Sequence, residues 1–132
     1  ILDFTTNTIS LGTLSLTQVV STTVSTTIST DSLTGYSLSF DEDGNLRDGA
    51  NDINDVLDGS VTAGSEEYGI RTVGGGGVLV VDTALAYGLE VASSLGPEND
   101  EETGIKFSAG LAGSSRAGSY SHVITATLTA NP

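Results

Sequence analysis

The chain has 132 residues, of which seventeen are acidic and four basic, for a formal charge of −13, and it contains no cysteine, methionine or tryptophan. That charge repels nucleic acid and anionic lipid, which argues against either as a partner, and the lack of cysteine excludes a disulfide framework, a thiol nucleophile and a thiolate metal site. The length suits one domain with one core, and no apolar run approaches the ~18 residues of a membrane span, so membrane insertion of the mature chain is not expected.

The first element is Ile1 to Thr6, ILDFTT, where Leu2 and Phe4 alternate with Ile1, Asp3 and Thr5 and predict a short terminal strand. A chain that opens on Ile1 and holds no Met leads to the expectation of a processed N-terminus from which a signal has been removed. Thr8 to Leu16 places Ile9 and Leu11 on one face and Leu14 and Leu16 on the other. A strand that changes face at Gly12, by a bulge or a crossing between sheets, is the expectation. Gln18 to Thr30, QVVSTTVSTTIST, predicts a long strand with Val20, Val24 and Ile28 on one side, Thr22 and Thr26 between them. After a turn at Asp31–Gly35, Tyr36, Leu38 and Phe40 alternate inward on the next strand.

From Asp41 to Ser60 the texture is Asp, Asn and Gly with scattered Leu46, Ile53, Val56 and Leu57, which predicts a loop or a one-turn helix. Asp41, Asp43, Asn45 and Asp48 are the best metal candidates, because alternate oxygen-bearing residues in a Gly-containing loop can converge on Ca²⁺. The pattern resembles the opening of an EF-hand loop but departs from it, with Gly44 two positions early, Arg47 intruding and Asp52 where the final glutamate belongs. Val61 to Val73 reads as a strand, Gly74 to Gly77 as a flexible hairpin tip, and Val78 onward as the returning arm leading into ALAYGLEVA. Gly96 to Thr103 reads as a second acidic turn, Gly104 to Ala109 as a strand, Leu111 to Gly118 as a turn and Ser119 to Ala130 as the last strand. Short strands at intervals of about 8 to 12 residues predict an all-β fold, a single Ig-like or jelly-roll-like β-sandwich. An N-terminal extension strand (residues 1–8) precedes the sandwich domain (residues 9–132).

No catalytic site is expected. His122 is the only histidine, and no G-x-S-x-G turn accompanies it. It reads instead as a strand histidine at a rim or with a satisfied hydrogen bond.

Three segments carry a family likeness: ISLGTLSLTQVVSTTVSTTISTDSLTGYSLSF, DGSVTAGSEEYGI and AGSYSHVITATLTANP, together about half the chain. This wording resembles the β-sandwich modules of secreted prokaryotic surface proteins: WxL-like, TasA/camelysin-type, and archaeal bundling-pilus or thread subunits. The WxL motif itself is absent. The resemblance implies an extracellular or cell-surface structural subunit that forms a homopolymer by donor-strand exchange. Ile1, Leu2, Phe4 and Thr6 would then belong to the polymerisation strand, and the charge-free Gln18–Thr30 strand is a candidate for the edge or groove that receives it. The alternative is a monomeric cell-surface adhesion or carbohydrate-binding module that uses the acidic loops with Ca²⁺ to contact other surface proteins or glycans.

Overall fold

The structure, a computed structural model, describes residues 1–116 and 118–132. Its strands are β1 (Leu2–Phe4), β2 (Val20–Thr30), β3 (Tyr36–Glu42), β4 (Arg47–Asp48), β5 (Asn51–Asp52), β6 (Glu67–Val73), β7 (Leu89–Ser93), β8 (Glu98–Gly110) and β9 (Ile124–Ala130). No helix occurs among the described residues. One antiparallel sheet has the order β1-β2-β8-β6 and a second the order β7-β3-β9, while β4 and β5 form a small hairpin. From β2 onward the long strands alternate between the two sheets, so the fold is all-β and sandwich-like.

Period-2 alternation builds the core. Val24, Thr26 and Ile28 of β2, Ile105, Phe107 and Ala109 of β8, and Tyr68 and Ile70 of β6 are buried from one sheet. Tyr36, Leu38 and Phe40 of β3 and Val91 and Ala92 of β7 are buried from the other. Thr26 is tolerated inside because its Oγ1 donates to the Thr103 carbonyl at 3.1 Å. The β9 side is thinner, since its inward Ile124, Ala126 and Leu128 are only half-buried against this cluster.

Several expectations are corrected. The segment 8–16 is not a strand: Gly12 takes a φ of 64°, and Ser10 and Ser15 side chains accept from the nearby amides of Gly12, Thr17 and Gln18. Local hydroxyl bonds of this kind compete with a ladder. The acidic GPENDEET is not a turn throughout, because β8 begins at Glu98, with Glu102 opposite Thr27 and Glu98 opposite Thr30 of β2. Hydroxyls make that pairing acceptable, as Ser29 Oγ and Asp100 exchange bonds of 2.9 and 3.0 Å at the local register shift. The segment 61–66 is a turn rather than strand, closed by a Ser65 amide bond to the Thr62 carbonyl. The Asp-rich region contains the β4–β5 hairpin and no helical turn, with Leu46, Ile53 and Val56 buried as its anchors and Leu57 left exposed.

The glycine run is the largest departure. The arm after it bonds β6 through Leu79 and Thr83, yet it also bonds β7, with the Val78 amide on the Val91 carbonyl and the Ser93 amide on the Gly76 carbonyl. It is a tightly packed clasp between the sheets instead of a flexible tip. A Cβ on Gly76 would lie 2.5 Å from the Ser93 carbonyl oxygen, and one on Gly77 2.5 Å from Thr72 Oγ1.

Candidate functional site

The clasp leaves the two sides of the sandwich unlike each other. On the β6–β7 side the strand edges are occupied: Val56 and Asn54 exchange bonds with Tyr68, Thr83 with Ile70, and residues 76–78 cover β7. On the opposite side lie β1 and β9, and among the described residues no main-chain hydrogen bond joins them.

Strand β1 pairs with β2 in register Leu2 to Ile28, Asp3 to Thr27 and Phe4 to Thr26. The pairing is extended at one end by Ile1, whose ammonium donates to the Ser29 carbonyl at 2.7 Å and whose carbonyl accepts from the Ser29 amide at 3.0 Å. At the other end the Thr5 amide donates to the Ser25 carbonyl at 3.0 Å. There the ladder stops, because Thr6 Oγ1 closes a local turn with Thr8. Leu2 and Phe4 occupy inward positions, and Phe4 meets Phe40 of the other sheet with ring centroids 6.5 Å apart. The fit is shallow: Ile1 is 81% exposed and Phe4 36%. Below this, residues 7–14 and 118–124 flank an open groove of about 640 Å³ over Leu46, Tyr68 and Phe107.

Beside the groove sits the main titratable cluster. The His122 side chain is 5% exposed. Its Nδ1 lies 3.0 Å from the Gly44 carbonyl and its Nε2 2.9 Å from Tyr68 Oη. A carbonyl only accepts, so Nδ1 carries the proton and Nε2 accepts from the tyrosine in the neutral imidazole. Glu42 Oε2 stands 3.6 Å from Nδ1, buried and without a hydrogen bond. Burial, reinforced by the charges of Asp55 and Asp43, pushes Glu42 up to about 7. Burial first, then the Glu42 and Asp55 carboxylates, raise the Tyr68 hydroxyl above the usual range. The group ties the end of β3, the β3–β4 loop, β6 and the approach to β9 together.

This arrangement fixes a pH dependence. Glu42 is about 7 folded against an ordinary 4.5, so the fold favours its protonated form. Its penalty is fully present above pH ~7 and vanishes below its unfolded pKa of about 4.5. Asp43, held down to about 2 first by its Arg47 hydrogen bonds and then by the Val123 amide, acts oppositely. Its stabilisation is present above about pH 4 and lost as pH falls towards 2. Thermal melts of the wild type are expected to rise as pH falls from 8 to 5. In Glu42→Gln that rise should shrink by ~3–6 °C; an unchanged slope refutes the assignment to Glu42.

The four metal candidates are placed on separate partners. Asp41 Oδ1 accepts from the Gly88 amide. Asp43 forms a bidentate pair with Arg47 at 3.1 and 3.2 Å. Asn45 donates to Asp52 at 3.2 Å, and Asp48 accepts from the Ser119 amide at 3.2 Å. Among the described residues no three histidine or carboxylate groups gather in a metal-holding arrangement. Sequence reading missed both the Glu42–His122–Tyr68 contact and the clasp. The spacing of Glu42 and His122, eighty residues apart, carries no local signal for either.

Compared with known protein families, with characterised proteins and with solved structures, the chain matches none.

Proposed function

We propose that this chain is an extracellular structural subunit that forms a homopolymer by donating residues 1–8 to the next copy, in the manner implied by its resemblance to TasA/camelysin-type and archaeal pilus or thread subunits. The observation that carries the reading is the shallow attachment of β1 to the edge of β2. A second copy's N-terminus can make the same bonds, so exchange costs little in contacts.

It also gains some. Within one chain the N-terminus leaves the ladder at Thr5 and must return to start β2 at Val20. That leaves the outer edge of residues 20–24 without a strand partner. A donated strand has no such tether and can continue in the same register, setting Thr6 and Thr8 opposite Val24 and Thr22. Each added main-chain bond contributes roughly 0.5–1.5 kcal/mol. Alternation of successive strands between two sheets supports placing the sandwich in the Ig-like or jelly-roll-like class. A Ser/Thr-rich, cysteine-free composition fits a surface location.

Removal of residues 1–8 tests the reading. Electron microscopy of the truncated chain is expected to show no filaments, and a synthetic peptide ILDFTTNT added in trans should raise its melting temperature. Normal filaments from the truncated chain overturn the proposal.

A further inference from the structure

Strand β9 has the wrong protection for a lone edge. Val123 accepts from the Asp43 amide through its carbonyl, and the Asn131 amide donates to Gly35, so the odd-numbered residues bond β3. In an antiparallel ladder the intervening residues point the other way. Ile124, Ala126, Leu128 and Ala130 therefore turn both N–H and C=O outward, and among the described residues none of these groups has a hydrogen-bond partner. Edge strands left for solvent are usually blunted by Lys, Pro or a bulge. This one, ITATLTA, carries no charge and no proline, and its pairing with β3 is unbroken over seven residues.

Charge selects the occupant. Every acidic and basic residue except Asp3 lies between Asp31 and Arg116, so residues 4–30 and 117–132 carry none. The side of the sandwich built from β1, β2 and β9 is made from those two stretches together with residues 2 and 3, so Asp3 is the one charged side chain on these strands. On a chain of charge −13 this is the side on which a second copy approaches with the least repulsion.

We infer that β9 pairs with β9 of a second copy, antiparallel across a two-fold axis at Thr127, joining the two three-stranded sheets into one. In that register Ile124 meets Ala130 and Ala126 meets Leu128 of the second copy. All outward groups are then matched, in about eight main-chain hydrogen bonds. The inward pairs set a large side chain against a small one. On the outer face Thr127 meets Thr127, and Thr125 meets Thr129, pairs that favour cross-strand association. This contact does not use residues 1–8 and adds a lateral contact to the one made by strand donation.

The register is testable because the chain has no cysteine. Thr127 would sit in a non-hydrogen-bonded pair with Cα atoms ~4.5 Å apart, within disulfide reach. The full-length Thr127→Cys chain, treated with diamide in ~0.15 M salt, is expected to give a disulfide dimer at least ~10-fold faster than Thr125→Cys, whose symmetry mate lies out of reach. Adding Ala126→Pro to Thr127→Cys removes one outward N–H that β3 does not use, and should abolish the cross-link while the β-sheet circular dichroism is retained. Equal rates at 125 and 127, or a cross-link indifferent to Ala126→Pro, overturn the inference. The Leu2→Asp/Phe4→Asp background should leave the cross-link intact, which separates this contact from strand donation.

Discussion

Gly76→Val is expected to lower the melting temperature by ~10–24 °C. The added Cβ would stand 2.5 Å from the Ser93 carbonyl oxygen and from Tyr36 Oη, and 2.7 Å from Glu101 Oε1. The first belongs to the β7 main chain, held at the same residue by the Ser93 amide bond to the Gly76 carbonyl, so it cannot swing aside. The other two are partners in a hydrogen bond from the Tyr36 hydroxyl to the Glu101 carboxylate. Burial, then that carboxylate, raise the Tyr36 hydroxyl above the usual tyrosine range, which keeps it a donor. Overpacking costs about 1–3 kcal/mol, and loss of a hydrogen bond to a charged group about 1.5–3 kcal/mol more. For a chain of this length each kcal/mol is worth roughly 4 °C. Gly96→Ala, where a Cβ meets nothing within 4 Å, is the control and should melt within about 2 °C of wild type. Equal melting of the two variants would show that residues 74–77 are a loose tip after all.

Leu2→Asp combined with Phe4→Asp should abolish filament formation while leaving a folded chain. Both positions face inward against Ile28 and Thr26. A donated strand in the same register would seat them in the same partly exposed positions on the next copy, each contributing about half of the 1.5–3 kcal/mol that full burial gives. Losing both weakens the subunit contact by a factor of ~10–10². Within one chain the same partial burial, with Leu2 half-buried and Phe4 36% exposed, limits the melting decrease to ~6–12 °C. Thr6→Ala removes only the two local turn bonds with Thr8 and should assemble nearly normally. Sedimentation and negative-stain microscopy read the outcome; filaments from the double aspartate variant would contradict strand donation.

Glu42 lies at the end of β3, where the sheet meets the Asp-rich loop, and its carboxylate bears a desolvation cost there.

Local pattern determined the strands that bury one face. The alternation in Val20–Thr30, Tyr36–Phe40 and Ile105–Ala109 specified both their conformation and their inward residues, since period 2 leaves no other apolar face. The charge-free stretches 4–30 and 117–132 were equally plain in the sequence. Tertiary structure alone decided the rest. The acidic start of β8 is strand because hydroxyls of β2 lie beside it, and 8–16 is not because Ser10 and Ser15 capture the main chain. The glycine run is a clasp because two sheets approach within a Cβ's width, and β2 is an interior strand because residues 1–5 and β8 bond its two sides. Which strands remain edges depends on contacts between residues tens of positions apart, and no local periodicity encodes those.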